Sequence, residues 1–278
     1  ARAVAEDIAA GRAMSDAPLP AWALEPDRQG VHTPAGSYSA RSGTLHPRST
    51  LPVYQRQLFP ERVFGEGADD RGTTVWENEG VRLWNLPEVD AGIAILSVTS
   101  KNHTLGAEVL EGILQAVARA ERVFDGLVIW HDAPFAVGAN LQQVSEACAA
   151  GQWDMLEATV EKFQRTSQAF KYAQIPTVAA VQGMALGGGC EFLMHASHRV
   201  LALESYIGLV EAGVGLIPAG GGSKEFAGRA AALAAKTATP GEVFPFLQPV
   251  FQTIAMARVA KSAIEAMDLG FAREQDIV

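Results

Sequence analysis

From Thr73 onward, apolar positions recur with clear periods, and before it they do not. TTVWEN and VRLWNL, separated by Glu79-Gly80, predict a hairpin. GIAILSVTS (92–100) alternates and carries β-branched residues at intervals, as a strand does. Over 106–122, Val109, Ile113 and Val117 recur every four residues with Leu110 and Leu114 beside them, which predicts an amphipathic helix. GLVIWH (126–131) and PTVAAVQG (176–183) read as strands, and 153–172 between them has helical spacing through Leu156, Val160 and Phe163. RVLALE (199–204) and IGLVEA (207–212) predict two further strands, followed by a helical tail at 223–236, 241–257 and 261–269. Strands alternating with helices predict an α/β domain.

The N-terminal part differs. Residues 1–12 read as the last turns of a helix. After them Pro18, Pro20, Pro26, Pro34, Pro47, Pro52 and Pro60 punctuate a stretch without a sustained period. Such a segment buries too little apolar area to fold alone and reads as a linker.

Composition narrows the functional classes. The 278 residues suffice for a large core, and 48% hydrophobic with 19% charged residues is ordinary for a globular protein. A net charge of −9 argues against binding a nucleic-acid backbone, which asks for a basic face. Cys148 and Cys190 fit no metal or redox spacing, so a reducing, cytoplasmic setting is expected. Ala1 to Gly11 lacks the apolar stretch of a signal peptide, and 175–190 is too short and glycine-rich to span a membrane.

Three segments carry the candidate chemistry. In GMALGGGCEFLMHASHRVLA (183–202) an apolar strand runs into Gly187, Gly188 and Gly189, then into a helical stretch headed by Cys190-Glu191. Three glycines cost chain entropy, so something there requires close backbone approach. A bare N–H at a helix start can stabilise an oxyanion, although a tight helix-on-strand turn would use the same glycines. FAVGANL (135–141) is a second glycine turn from strand to helix, so one amide from each turn could converge on a single oxygen. In YIGLVEAGVGLIPAGGG (206–222) Glu211 sits in an apolar run, where a carboxyl is expensive unless paired or functional, or unless it ends the strand facing solvent. Two carboxyls facing one cavity can divide acid and base roles. His195 and His198 lack a third metal ligand, and a surface or packing role is expected for His195. His103 and His131 have no evident partner; Trp76, Trp84 and Trp130 read as core.

FAVGANL, PTVAAVQGMALGGGCE and YIGLVEAGVGLIPAGGGSKE, in that order and separation, resemble the signature segments of the crotonase (enoyl-CoA hydratase/isomerase) superfamily over residues 80–278. The resemblance implies a spiral of ββα units with a helical C-terminal region, here cut short. It implies an oxyanion hole from the backbone amides of Ala139 and Gly188, with Glu191 activating water and Glu211 delivering a proton. It also implies CoA contacts from Lys101, Phe135, Val137, Gly138 and Gly187, and no metal or redox cofactor for hydration. Asn140 and Ser197 stand where the family usually has Asp, and Leu209-Val210 precede Glu211 in place of a usual Gln-Pro. With LPVYQRQLFPE (51–61), these departures resemble bifunctional 3-hydroxyacyl-CoA dehydrogenase/enoyl-CoA hydratase proteins. Residues 1–72 would then be the end of a dehydrogenase domain plus linker, and 73–278 a crotonase domain without its last helices. NAD would belong to the dehydrogenase, since Gly65, Gly67 and Asp70 make no dinucleotide fingerprint. The expected reaction is reversible hydration of trans-2-enoyl-CoA in fatty-acid β-oxidation, by a homo-oligomer of which the trimer is family-typical. A 3-enoyl to 2-enoyl-CoA isomerase and a non-catalytic acyl-CoA-binding or scaffolding module are the alternatives.

Overall fold

A computed structural model of the chain describes residues 2–12, 17–25, 32–33, 36–47, 72–237 and 241–278. The segments 51–61 and 65–70 discussed above lie outside the described residues. The chain divides into two units, Ala1–Arg71 and Gly72–Val278.

In the first unit, α1 (Arg2–Ala9) is followed by a 3-10 turn at Ala21–Leu24. A small antiparallel sheet then forms from β1 (His32–Thr33), β2 (Gly36–Ser39) and β3 (Thr44–His46). No sustained period announces this sheet. Local polar contacts accompany it, with Ser42 Oγ 2.9 Å from Thr44 Oγ1 and 3.0 Å from His46 Nε2.

The second unit is built on a six-stranded sheet: β4 (Thr73–Glu77), β5 (Val81–Leu86), β6 (Ala91–Val98), β7 (Gly126–Ile129), β8 (Thr177–Leu186) and β9 (His198–Gly208), in that spatial order. The first three pair antiparallel and the rest parallel. The β4–β5 turn closes because Asn78 Oδ1 accepts the N–H groups of Gly80 (2.9 Å) and Val81 (2.8 Å). One helical turn, α2 (Pro87–Asp90), leads into β6, and α3 (Ala107–Val123) crosses back to β7. Val109, Leu110, Ile113, Ala116, Val117 and Ala120 form its buried face, the stripe that the four-residue spacing predicts. Each large aliphatic side chain buried this way contributes about 1.5–3 kcal/mol. α4 (Leu141–Ala149) and α5 (Trp153–Lys171) precede β8; α6 (Gly188–His195) joins β8 to β9; α7 (Gly222–Ala234), α8 (Phe244–Ala255) and α9 (Ala263–Asp268) form the tail. The architecture is the expected α/β class.

Two expectations about strands need correction. The segments 199–204 and 207–212 are not separate strands: β9 is continuous, and its polar break at Glu204-Ser205 lies beside a bulge. The register shifts between Val181 and Gly183, from Val181↔Leu201 to Gly183↔Ser205. Ser205 Oγ turns back onto Ala202 O at 2.6 Å, which satisfies a buried hydroxyl. The strand also stops at Gly208, so Glu211 is not in it. A Cβ on Gly208 would stand 2.7 Å from Arg258 O, and beyond that contact the chain turns into a 3-10 segment at Glu211–Val214. Trp84 is core, whereas Trp76 and Trp130 are only half-buried.

Candidate active site

β8 ends on Gly187, whose φ of +54° and ψ of −122° suit glycine alone. Its N–H donates to Gly208 O (2.9 Å) and its carbonyl accepts from Glu191 N (3.0 Å), so α6 starts at Gly188, two residues before the Cys190-Glu191 pair expected to head it. The second bend runs alongside. Phe135 N donates to Gln182 O (3.0 Å), Ala136 N to Met184 O (3.0 Å), and Leu186 N to Ala136 O (2.9 Å). That ladder brings Gly138 (φ +94°) against the first bend: a Cβ there would stand 3.1 Å from Leu186 O and 3.4 Å from Gly188 N. Among the described residues, neither the Ala139 nor the Gly188 N–H has a backbone acceptor. Adjacent bends thus leave two donors uncommitted, one of them at the positive end of a helix.

Both carboxyls meet these bends. Glu191 lies in the first turn of α6 and is 3% exposed. Its Oε1 accepts Gly222 N–H at 2.9 Å. Burial nevertheless pushes the Glu191 carboxyl up to about 8; the amide of Gly222 opposes, the charge of Glu211 adds, and the amides of Gly220 and Gly221 oppose. Glu211 opens the 3-10 turn, and its Oε2 is buried without a hydrogen-bond partner among the described residues. Burial raises this carboxyl too, against its own backbone N–H. A Cβ on Gly187 would stand 3.4 Å from Glu211 Oε1, which puts that carboxyl over the first bend. The acids therefore arrive from different elements, as the sequence implies, but Glu211 comes from a turn.

Phe163 of α5 and Leu105 wall the first bend. A Cβ on Gly188 would overlap the Phe163 ring and stand 3.1 Å from Leu105 Cδ1; one on Gly220 would overlap both Phe163 and Glu191 Oε2. Gly188→Ala therefore sets two effects against each other. Alanine gains about 0.5–1 kcal/mol as a helix residue, whereas forcing a methyl into a packed wall costs about 1–3 kcal/mol. Net destabilisation of about 1–2 kcal/mol is expected in urea unfolding; an unchanged midpoint would show that Phe163 yields freely.

The residues expected at CoA fall out differently. Lys101 is exposed on a 3-10 turn at Lys101–His103. Phe135 is 2% exposed, with its ring stacked on His131 and its N–H and carbonyl both engaged, so it anchors the bend and presents nothing to a ligand. Val137 is half-buried, and Gly138 and Gly187 are buried. Asn140 caps α4, its Oδ1 accepting Gln143 N–H at 3.3 Å, a task that needs an acceptor oxygen but no charge. Ser197 exchanges contacts with Thr177, Ser197 N donating to Thr177 Oγ1 (3.0 Å) and Thr177 N to Ser197 Oγ (3.3 Å).

Three histidines gain partners invisible in the sequence. His131 Nε2 donates to Phe135 O (2.5 Å) while its Nδ1 accepts Val98 N–H (3.3 Å), and His103 Nδ1 donates to Pro134 O (2.5 Å). Burial, then the neighbouring His103, brings His131 down to about 4, so it is a neutral clamp on the second bend. Of the surface or packing role expected for His195, the structure shows packing: it is 2% exposed, with Nδ1 2.6 Å from Glu191 O. Its place four residues after Glu191 was the only available hint. An apolar cleft of about 600 Å³ lined by Ala133, Pro134, Gly183, Met184, Leu186, Tyr206 and Val259 borders the bends, but neither acid lines it. Among the described residues no group of three His, Cys, Asp or Glu could hold a metal, and no helix is long and apolar enough to cross a membrane.

A probable 3-hydroxyacyl-CoA dehydrogenase of Bacillus subtilis (strain 168) is 31% identical over 262 residues, which cover 94% of this chain but 32% of that protein. A putative fatty acid oxidation complex trifunctional enzyme of Rickettsia felis is 34% identical over 170 residues, 59% of this chain and 23% of that protein. The chain thus spans a third or less of the length of these relatives. Among solved structures, an enoyl-CoA hydratase from Polaromonas sp. JS666 shares the fold with a TM-score of 0.56 at 21% identity, covering 71% of this chain and 70% of that one. Another from Bacillus anthracis gives 0.55 at 19%, covering 72% and 70%. The enoyl-CoA hydratase/isomerase family matches residues 88–239, the stretch that holds both bends and both acids, and with more than half its length matched the chain belongs to that family, within the crotonase superfamily.

Proposed function

We propose that the site hydrates trans-2-enoyl-CoA thioesters. The observation that carries this reading is the pair of carboxyls, Glu191 buried and Glu211 half-buried, both raised by burial, beside two uncommitted amides. The thioester oxygen would accept the Ala139 and Gly188 N–H groups. Glu191, ionised, takes a proton from water as the water oxygen bonds to C3, and the electron pair of the C2–C3 double bond moves onto the thioester oxygen. Preorganised amides stabilise that enolate by a few kcal/mol in a dry site. The enolate then reforms its carbonyl as C2 takes a proton from Glu211. A proton passed back from Glu191 to Glu211 restores the pair, and the route as written calls on no metal or redox cofactor.

An isomerase needs one carboxyl to carry a proton from C2 to C4; two raised acids favour hydration. Names of longer relatives support a further part of the reading, that this is the hydratase portion of a fatty-acid-oxidation protein that also carries a 3-hydroxyacyl-CoA dehydrogenase; NAD for that dehydrogenase and a homo-oligomeric assembly are proposed on the family resemblance alone. Lys101 and Val137 are the residues proposed to meet CoA.

The experiment is to mix the protein with crotonyl-CoA and follow loss of the conjugated absorbance, with a 3-enoyl-CoA in parallel. Saturable conversion to 3-hydroxybutyryl-CoA is expected. Turnover of the 3-enoyl-CoA alone would replace this reading with isomerisation, and CoA binding without turnover of either would leave a binding module.

A further inference from the structure

The turn that seats Glu191 is itself propped from behind. Gly221 (φ +122°) lies against the His195 ring, where a Cβ would stand 2.7 Å from Cε1 and 2.8 Å from Nε2. On its other edge His195 Nδ1 is 2.6 Å from Glu191 O. A carbonyl only accepts, so Nδ1 carries the hydrogen and Nε2 a lone pair. That tautomer explains why Nε2, fully buried, makes no hydrogen bond among the described residues although Glu225 Oε1 is 3.6 Å away. Glu225 is held in turn by ion pairs to Lys171 of α5 and, at 3.2 Å, to Lys224. The ionisable groups facing the ring are thus Glu191 on its own helix, Glu225 and Lys224 on α7, and Lys171 on α5. Burial brings His195 down to about 4; the Glu191 carbonyl and Glu225 oppose, and Lys224 and Lys171 reinforce. The ring is therefore neutral at physiological pH.

We propose that His195 is a positioning residue for Glu191: the ring is a wedge between the helix that carries the acid and the Gly220, Gly221 and Gly222 amides that seat it. Its width sets how closely those amides approach the carboxyl, and Glu225 with its two lysines holds the far side of the wedge. The idea deepens the hydratase reading and rests on it for the kinetic part alone.

The test uses the full chain with carbon-13 in its glutamate carboxyls, Glu191 being assigned by its absence in Glu191→Gln. His195→Ala should move the Glu191 titration by about one pH unit, because the seat loosens and water enters. It should also lower kcat on crotonyl-CoA by about 10–100-fold with KM within about twofold. His195→Phe, which refills the wedge without a polar edge, should keep kcat within about fivefold of wild type and leave the titration in place. Gly221→Ala, whose methyl would stand 2.7 Å from the ring, should also displace the Glu191 titration by pushing the seating amides off the carboxyl. A folded His195→Ala that only melts earlier, with titration and kcat unchanged, overturns the proposal. If it does not fold, a wild-type titration in Gly221→Ala overturns it instead. Should the wild type hydrate no 2-enoyl-CoA, the hydratase reading fails, and the carboxyl titrations still decide whether the wedge exists.

Discussion

Glu191→Gln is expected to lower kcat for crotonyl-CoA hydration by about 10³-fold, with KM changed little. The amide keeps the size of the carboxyl and can still accept the Gly222 N–H, so the seat survives. What it cannot do is take a proton from water. Glu211→Gln should cost a similar amount by removing the proton given to C2. The pH profile separates this loss from mere disturbance. In the free protein Glu191 titrates at about 8, so most molecules hold the base protonated at neutral pH. kcat/KM for hydration should therefore rise with pH toward about 8, and the rise should vanish in Glu191→Gln. The charge of Glu211 adds to the rise at Glu191, so the limb shifts with the state of Glu211 even though Glu191 dominates it. Wild-type rates in both variants would remove the acids from the mechanism altogether.

Much of this site could be read from the chain because glycine and glutamate are expensive where they stand. Gly187 needs its left-handed backbone, and Gly188 and Gly189 have no room for a Cβ beside Phe163 and Ala136, so three glycines in a row do mark a close approach. Glu191 and Glu211 are carboxyls in apolar company, which a strand-and-helix reading flags on solvation grounds alone. The element carrying Glu211 was harder to read, because IGLV remains apolar past the strand end. That end is set by Gly208 meeting Arg258 and Val259, a contact fifty residues away in the chain. The same reason hid His195. Its helical distance from Glu191 is visible, but its burial depends on Gly221 and Glu225, which arrive only when α7 packs behind α6. The His103 and His131 clamps likewise act on backbone carbonyls, which no side-chain pattern reports. Local chemistry was legible, and contacts across the sheet were not.

The same Glu191→Gln change should make the protein increasingly more stable than wild type as pH rises, the reverse of its effect on rate. A carboxyl 3% exposed is held protonated in the fold up to about 8, whereas in the unfolded chain it ionises near its ordinary 4.5. Below about 4.5 both states bind the proton and the carboxyl costs nothing. Between 4.5 and about 8 the unfolded chain releases its proton and the fold does not, so wild-type stability falls; above about 8 both are ionised and the loss is complete. A displacement of this size corresponds to about 4–5 kcal/mol. Glutamine carries no proton to release and mimics the protonated acid, so the gap between variant and wild type should open across that window. Urea unfolding at pH 4.5, 6, 7 and 9 measures it: near-equal stability at the acid end, then a growing advantage for Glu191→Gln of up to several kcal/mol. A gap that stayed constant with pH would mean that Glu191 is ionised in the fold at neutral pH, and the alkaline rise in kcat/KM would then need another source. If the gap opens as expected, the acid proposed to activate water is also a group that weakens the fold at neutral pH, a burden that a purely structural glutamate in this seat would have no reason to carry.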